Sequence, residues 1–451
     1  MFQDEPPEEP LPVNDNLPQS EFSMSKPTGA TLGQGSLATL VIASMIGAGV
    51  FTTSGFAIAD LGDPRIVMLA WAIGGVIAIA GAISYGQLAR LLTDNGGEYL
   101  FLSRFVHPAA GFIAGWVSFL AGFTGAGALA ALAFETYALG ENGAHSWLPP
   151  GTVAILLVAG CTFAHAFHTE RGATSHNTLV VLKLLLIGLF IAWSLTTLPR
   201  WHVMTTELPV IERVDVFTLA TSVMWISLSY CGFNAAVYVG REAKQGWPDI
   251  AGAMIKAAIG VTLLYLVINA VFVFGPPPEL IAGKQNVAEV AADAIGGNTL
   301  STIVRIAICL GLASSVSSTV MAGPRVYAKM AGDGVFPKWF DDDLSPPTRT
   351  VLLQGIAIAI VVSIASLQDL LEYLSLTLSL CSAATVAVLL IRRRRGNPIS
   401  RSGIVAAWFY VVATCLIIAL AAWHRPDNAI ATVVTLVSGG VLYWVSVPRR
   451  S

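Results

Sequence analysis

The strongest constraint on this chain is a succession of apolar runs, each about twenty residues long and almost free of charge. A run of that length suffices for an α-helix to cross the hydrocarbon core of a bilayer. The runs are continuous, whereas the strands of a membrane barrel would alternate apolar with polar residues. Charged residues make up only 12% of the chain and fall in narrow clusters between the runs. The sequence therefore predicts an all-α integral membrane protein.

We place twelve transmembrane helices, called spans 1 to 12, on these runs. Their predicted positions are about 35–59, 66–92, 108–138, 151–167, 178–198, 216–240, 250–274, 299–323, 350–366, 370–391, 403–423 and 428–447. Residues 34–198 then contain spans 1 to 5, residues 216–391 contain spans 6 to 10, and residues 402–447 contain spans 11 and 12.

Basic residues are concentrated in alternate loops. The richer loops and the C-terminal end contain Arg90, Arg104, Arg171, Arg241, Lys244, Arg325, Lys329, Lys338, Arg349, the run from Arg392 to Arg395, Arg449 and Arg450. The poorer loops contain Arg65, Arg200, Arg213, Lys284 and Arg425. Because Lys and Arg accumulate on the cytoplasmic side of membrane proteins, the first set should be cytoplasmic. An even number of spans then places both termini in the cytoplasm.

Residues 1–33 are rich in proline and acidic residues and lack a basic start followed by an apolar core. They match neither a signal peptide nor a span, so we expect a disordered, acidic cytoplasmic tail. The formal net charge of -3 gives no indication of a nucleic-acid partner. The five cysteines all fall inside spans, without the spacing of a disulfide framework or a zinc site. We therefore expect no metal and no cofactor.

Two glycines, Gly47 and Gly49, interrupt span 1 in the stretch IGAG. A helix interrupted within a membrane leaves N–H and C=O groups that protein, water or a ligand must satisfy. The N–H groups of Gly47, Ala48 and Gly49 would begin the second half-helix, where the helix dipole favours an anion. Small residues also let membrane helices pack closely, so this motif alone leaves both interpretations open.

Span 6 carries a glycine and several polar side chains near its middle. They are Ser227, Ser229, Tyr230, Gly232 and Asn234. Interruptions in spans 1 and 6, which correspond to each other, indicate a five-plus-five inverted repeat with a substrate between its halves. One break offers N–H groups and the other offers carbonyls, which suits a zwitterion. We assign the carboxylate to the first break and the ammonium to carbonyls such as those of Met45, Leu228 and Cys231.

Four segments carry a resemblance to a known family. They are IGAGVF (Ile46 to Phe51), SYGQLARLLTDNGGEYLFLSRFVHPAAGFIAGW (Ser84 to Trp116), YCGFNAAVYVGRE (Tyr230 to Glu242) and GPRVYAKMAGDGVFPKWF (Gly323 to Phe340). In this order and spacing they resemble the amino acid-polyamine-organocation (APC) superfamily, particularly bacterial permeases akin to the L-type amino acid transporters. The resemblance implies a LeuT-type fold with broken helices 1 and 6, amino-acid substrates, and proton-coupled symport or exchange. It also implies a multi-pass protein of the cell membrane, here the bacterial inner membrane.

The resemblance further implies roles for individual residues. Ala48 and Gly49 would bind the substrate carboxylate, and carbonyls of span 6 would bind the amine. Tyr230 or Phe233 would close over the substrate as an aromatic lid. Asn234 is left open between a role in the site and a hydrogen bond to a neighbouring helix.

Two positions depart from the pattern of the superfamily. This chain has Gln87 where many such permeases have an acidic residue in the second helix. It has Arg241 and Glu242 where two consecutive acids often follow the sixth helix. The turn NGG (Asn95 to Gly97) is typical of a loop at a cytoplasmic gate.

Lys183 lies inside span 5, in the stretch LVVLKLLLIGLF. An unpaired ammonium is costly in a bilayer, so such a residue is a functional hypothesis, with snorkelling to the interface as the alternative. In sodium-coupled relatives a cation lies between the first and eighth helices, and the resemblance implies that Lys183 takes that place. Ala313 and Ser314 stand where two hydroxyl ligands of sodium would lie, and one hydroxyl is missing. We therefore expect transport without sodium.

The leading functional hypothesis is a secondary active transporter of neutral amino acids that works by alternating access within membrane lipid. A membrane enzyme is disfavoured because the spans lack a nucleophile with its base and lack a metal-ligand set. The absence of a nucleotide-binding motif excludes a pump driven by its own ATPase domain. A cationic amino-acid or polyamine antiporter would need an acidic residue near the pocket for the substrate side chain. The acidic residue that we find in a span, Glu135, lies near the outer end of span 3, so neutral substrates are favoured. That antiporter and a non-transporting nutrient sensor of the same fold are the alternatives.

The loop between spans 3 and 4 bears on assembly. Related eukaryotic light chains use a cysteine in this loop to bind a heavy chain, whereas the sequence LGENGAHSWLPPG here contains none. We therefore expect no disulfide-linked heavy chain.

Overall fold

A computed structural model describes residues 32–92, 96–140, 147–167, 172–198, 201, 215–332, 336, 340, 348–392 and 399–446. The tail predicted for residues 1–33 lies outside the described residues, apart from its last two. Within the described part of the chain every regular element is a helix, and one isolated β-bridge joins Leu32 to Ala243. The predicted all-α class is confirmed for these residues.

The helices are numbered in chain order. They are α1 Gln34–Met45, α2 Gly49–Leu61, α3 Pro64–Leu91, α4 Glu98–Phe105, α5 Pro108–Leu139, α6 Thr152–Phe167, α7 Gly172–Thr196, α8 Val216–Ser229, α9 Trp247–Phe274, α10 Pro278–Ile281, α11 Val287–Gly332, α12 Thr348–Ile364, α13 Leu367–Arg392, α14 Arg401–His424 and α15 Pro426–Ser446. A 3-10 helix, Ala235–Glu242, follows α8. The middle of α5, Ser118–Gly125, is a π-helix, and α11 is interrupted at Gly297, whose φ is +69°.

Six of the described helices are long and apolar enough to cross a membrane, or seven if α1 and α2 form one bent span. Shorter apolar segments occur at Thr152–Phe167, Leu182–Thr196, Val216–Ser229, Thr348–Ile364 and Ala429–Val445, each at the position of a predicted span. The architecture is that of a multi-pass membrane protein.

Local sequence determines how α2 turns into α3. Gly62 adopts φ +69° and its N–H bonds to the carbonyl of Ile58, which ends α2. Asp63 then caps α3 by accepting a hydrogen bond from the N–H of Arg65, and Pro64 occupies the first helical position, where its missing N–H is not needed. Hydrogen bonds from the Arg65 guanidinium hold the pKa of Asp63 below its ordinary value.

Packing places the two predicted breaks in the interior. Helix α9 packs on α3 and α1, while α8 packs on α2, α3 and α14. Helix α11 packs on α5, α6 and α7. The link between α1 and α2 and the link between α8 and the 3-10 helix are therefore surrounded by other helices.

Candidate functional site

The first break separates α1 from α2 with a bend of 42°. Helix α1 ends at Met45, and the N–H of Gly47 donates to the Met45 carbonyl at 2.9 Å. Helix α2 begins at Gly49, and no side chain caps it. The first N–H groups of a helix have no partner within that helix. The start of α2 therefore presents N–H groups and the positive end of a helix dipole inside the bundle.

The two glycines of this break have different surroundings. A Cβ atom added to Gly47 would meet no atom within 4 Å, so this position faces open space. A Cβ atom added to Gly49 would collide with Ser229 Oγ and lie 3.0 Å from Ser229 Cα. Gly49 is thus needed for close packing of α2 on α8. The motif alone is compatible with packing and with ligand binding, and at Gly49 the structure shows close packing.

The second break follows Ser229, where α8 ends. The N–H of Cys231 donates to the Leu228 carbonyl at 3.0 Å, and Gly232 then adopts φ +100°, which favours glycine. A Cβ atom at Gly232 would lie 2.8 Å from the carbonyl oxygen of Ser44 in α1. The two breaks therefore touch each other, backbone against backbone.

Tyr265 of α9 joins the two breaks. Its hydroxyl lies 2.7 Å from the Met45 carbonyl and 3.0 Å from the Ser229 carbonyl. One hydroxyl proton serves two carbonyl oxygens there. The Met45 oxygen also accepts the N–H of Gly47, so the Ser229 oxygen keeps the greater capacity for a further donor. Tyr265 was not among the predicted site residues, although Tyr265 and Asn269 are polar residues at i and i+4 in a span whose other polar residues are Lys256 and Thr262.

A buried hydrogen-bond network continues from this point. Ser54 of α2 donates to Asn269 Oδ1 at 2.6 Å and accepts from the Trp71 indole N–H at 2.9 Å. The Asn269 amide donates to the Tyr265 carbonyl at 2.8 Å. Helices α2, α3 and α9 are thus fixed to each other beside the breaks.

Lys183 reaches the first break from α7. Its Nζ donates to the Ile46 carbonyl at 2.6 Å, and only 5% of the residue is exposed. The stem of the side chain packs against α11 at Gly311, where an added Cβ would lie 2.9 Å from Lys183 Cδ. Ala313 and Ser314 lie on the next turn of α11, Ala313 half-buried and Ser314 buried. Lys183 therefore connects the break to α7 and α11.

The residues predicted to gate the site lie on the α3 side of the second break. Tyr230 is 1% exposed, donates its hydroxyl to the Trp71 carbonyl at 3.0 Å, and packs its ring 5.1 Å from that of Tyr265. Phe233 packs edge-on against the ring of Tyr85. The Asn234 amide donates to Glu98 Oε1 at 2.6 Å. In this structure all three side chains pack against neighbouring helices.

A cavity adjoins this side of the break. It lies between α3, α8, α13 and α14. Tyr230, Cys231 and Phe233 form one wall. Thr414 of α14 lines it as well, and its buried hydroxyl has no hydrogen-bond partner in the described part of the chain.

The two carboxylates inside predicted spans, Glu135 and Glu372, form hydrogen bonds or an ion pair with other residues of the protein. Glu135 accepts hydrogen bonds from the N–H groups of Gly151 and Ala154, at 2.7 and 2.9 Å, and so caps α6. Glu372, which lies within predicted span 10 and which the sequence analysis overlooked, pairs with Arg425 at 2.8 Å. Neither carboxylate faces the two breaks with a free charge.

Arg425 closes the predicted outer side of the same region. Besides Glu372, its guanidinium reaches Asp60 at the end of α2, at 3.4 Å, and lies over the ring of Trp225 in α8. The described residues contain no group of three or more His, Cys, Asp and Glu side chains placed to hold a metal ion.

Two interrupted helices that meet inside a bundle of apolar helices define a polytopic membrane protein of the transporter class. A family model described as Amino acid permease matches residues 32–447. The chain therefore belongs to the amino acid permease family, within the APC superfamily, whose members are transporters rather than enzymes. The resemblance read from the four sequence segments is confirmed.

Individual relatives agree with this assignment. The chain is 21% identical to the large neutral amino acids transporter small subunit 2 of Mus musculus, over 97% of this chain and 85% of the relative. It is 25% identical to the serine/threonine exchanger SteT of Bacillus subtilis (strain 168), over 79% of this chain and 82% of the relative. It is 22% identical to the b(0,+)-type amino acid transporter 1 of Mus musculus, over 80% and 76%.

Proposed function

We propose that this permease is a secondary active transporter of neutral amino acids, built as a LeuT-type five-plus-five repeat of twelve spans. The observation that carries the proposal is the contact between the two breaks. There the carbonyls of Met45 and Ser229 share the hydroxyl of Tyr265, beside the uncapped start of α2. Such a place offers acceptors and donors a few ångströms apart. A zwitterion needs both.

The substrate carboxylate would bind the N–H groups of Gly47, Ala48 and Gly49, aided by the dipole of α2. The Gly47 N–H would then exchange its present partner, the Met45 carbonyl, for the carboxylate. The open space at Gly47 supports this placement. The ammonium would bind carbonyls of the two breaks. The sequence-derived set was Met45, Leu228 and Cys231, and the structure favours adding Ser229, whose carbonyl shares the Tyr265 hydroxyl with that of Met45.

The charge distribution favours substrates with uncharged side chains. A cationic amino acid or a polyamine would need a carboxylate free to pair with it. Glu135 instead caps a helix, Glu372 is paired with Arg425, and Glu98 accepts hydrogen bonds from three protein side chains. Relatives named for large neutral amino acids and for serine and threonine support the same substrate class. The cationic antiporter and the non-transporting sensor are the competing proposals.

Uptake by proteoliposomes tests this function. We expect the purified single chain to take up radiolabelled neutral amino acids with saturation, and unlabelled neutral amino acids to compete better than arginine, lysine or putrescine. Activity of the single chain would also support the proposal that no disulfide-linked heavy chain is needed. Uptake that appears only with a co-purifying subunit would contradict that part, and binding without uptake would favour a sensor.

Sodium dependence gives a separate prediction. Lys183 donates to the Ile46 carbonyl and packs on α11 at Gly311, which supports the proposal that it takes the place of a sodium ion between α1 and α11. Replacing sodium with choline at fixed pH should leave the initial rate of uptake unchanged. A rate that falls steeply in choline would show that α11 binds sodium with Ser314 and without a hydroxyl at position 313.

We further propose the membrane orientation given by the basic loops, with both termini cytoplasmic in the cell membrane of a bacterium. Arg425 and Asp60 would then lie on the outer side of the two breaks, and Glu98 on the cytoplasmic side. Whether transport is proton-coupled symport or exchange depends on whether Lys183 releases its proton during the cycle.

A further inference from the structure

Glu98 is a buried carboxylate that the proposed binding site does not use. It is the first residue of α4, the short helix between predicted spans 2 and 3, and only 6% of it is exposed. The start of a helix favours a negative charge. Glu98 takes part in none of the ion pairs found among the described residues. Hydrogen bonds must therefore stabilise this carboxylate.

Three neutral donors surround it, and they come from two other parts of the fold. The Tyr85 hydroxyl of α3 donates to Oε1 at 2.9 Å, and the Asn234 amide donates to the same oxygen at 2.6 Å. The Tyr238 hydroxyl, in the 3-10 helix after the second break, donates to Oε2. We call these residues, Tyr85, Glu98, Asn234 and Tyr238, the Glu98 cluster. Its carboxylate joins α3 and α4 to the segment after the second break.

The glycine before Glu98 is part of the same arrangement. Gly97 adopts φ +62°, and a Cβ atom there would lie 2.6 Å from Cζ of Tyr238. Gly97 thus leaves room for the Tyr238 ring to reach the carboxylate. A glycine is required there both by its backbone conformation and by the close approach of this ring.

The 3-10 helix is held from a second direction as well. The N–H of Leu32 donates to the Glu242 carbonyl, and the N–H of Lys244 donates to the Leu32 carbonyl, both at 2.9 Å. The chain just before α1 is thereby attached to the end of the 3-10 helix. The segment between Asn234 and Lys244 consequently has an anchor at each end, and Glu98 supplies the only one made by a charged side chain among these contacts.

We propose that Glu98 is a positioning residue that holds the second half of span 6 against α3 and α4 and thereby keeps the cytoplasmic side of the two breaks closed. This inference rests on the proposed transport function, because it assigns Glu98 a step in alternating access. Opening toward the cytoplasm then requires the carboxylate to release Asn234 and Tyr238. Both oxygens of the carboxylate must change partners before Cys231, which is half-buried, and its neighbours become more accessible from the cytoplasmic side.

Thiol labelling measures this step directly. Cys231 lies in the break, and Cys161, Cys309, Cys381 and Cys415 can be replaced by alanine to leave it as the single thiol. In that background, Glu98→Ala should raise the rate at which a membrane-impermeant maleimide, applied from the cytoplasmic side, modifies Cys231. Loss of hydrogen bonds to a charged group corresponds to an increase of about tenfold. The KM for uptake should change more than kcat, because substrate binding depends on the position of span 6.

Two further variants keep the test decisive. Tyr238→Phe removes one donor with almost no change in shape, so it should accelerate labelling in the same direction even if Glu98→Ala does not fold. Glu279→Gln, at an exposed residue in the first turn of α10, is the matched control and should have no effect.

The outcomes separate the two proposals. If wild-type protein transports amino acids while folded Glu98→Ala and Tyr238→Phe both label and transport like wild type, Glu98 does not hold the gate and the inference is wrong. If wild-type protein transports no amino acid, the proposed function fails. Labelling of Cys231 then still reports whether Glu98 holds the segment in place.

Discussion

Lys183→Ala should reduce the rate of amino-acid uptake by tenfold or more while leaving the protein folded. The Lys183 ammonium is buried and bonded to the Ile46 carbonyl, and its stem fills the space beside Gly311. Removing a hydrogen bond to a charged group costs about 1.5–3 kcal/mol. This hydrogen bond connects the end of α1 to α7 and α11. Its loss should therefore change the populations of the conformations in the transport cycle more than it changes the overall stability of the fold.

Lys183→Met separates charge from packing. Methionine retains a long unbranched stem against Gly311 and has no ammonium, so it should reduce uptake nearly as much as alanine and destabilise the protein less. Lys256→Met is the control, because the exposed Lys256 bonds only to the Gln34 side chain among the hydrogen bonds found here. The measurements are initial uptake rate, counter-flow and thermal unfolding in detergent.

The pH profile adds a second readout for the same residue. A lysine inside a bilayer is tolerated in one of two ways: carbonyl groups solvate its ammonium, or the side chain releases its proton and becomes neutral. If the proton is released during the cycle, uptake by wild type should vary with pH and uptake by Lys183→Met should vary much less. If Lys183→Ala and Lys183→Met have wild-type rates and wild-type pH profiles, Lys183 is coupled neither to a proton nor to exchange.

The positions of the helices can be predicted closely from the sequence, because they depend on neighbouring residues in the chain. A run of apolar residues bounded by charges reports where a helix enters and leaves lipid, and α3, α9 and α14 lie within a few residues of the predicted spans. The break in span 1 was equally visible, because glycines inside an apolar run mark a place where a helix can be interrupted. The segment after Ser229 likewise coincided with the polar cluster of span 6.

The contacts of the site were less visible because they join residues that are distant in sequence. Nothing near Tyr265 in the chain indicates that its hydroxyl would reach carbonyls of both breaks. The partnership of Glu98 with Tyr238 and that of Arg425 with Glu372 also depend on how whole helices pack. Composition can show that a buried charge needs a partner, and only the packing shows which partner it finds.

Contacts between residues distant in sequence also distinguish the two glycines of the IGAG motif. By sequence alone, Gly47 and Gly49 are interchangeable members of IGAG. In the structure the position of a Cβ atom at Gly47 is open, whereas a Cβ atom at Gly49 would strike Ser229. Substitutions at the two positions should therefore impair the protein in different ways, at Gly47 through substrate binding and at Gly49 through stability. This difference tests the carboxylate site.

Gly47→Leu should abolish substrate binding and leave the unfolding temperature within a few degrees of wild type, because the side chain would enter the space assigned to the carboxylate. Gly49→Ala should instead destabilise the protein, since overpacking of a core typically costs about 1–3 kcal/mol. Substrate-dependent stabilisation gives the decisive comparison: neutral amino acids should raise the unfolding temperature of wild type and of folded Gly49→Ala, but not of Gly47→Leu. If Gly47→Leu still binds substrate with wild-type affinity, the N–H groups at the start of α2 do not hold the carboxylate.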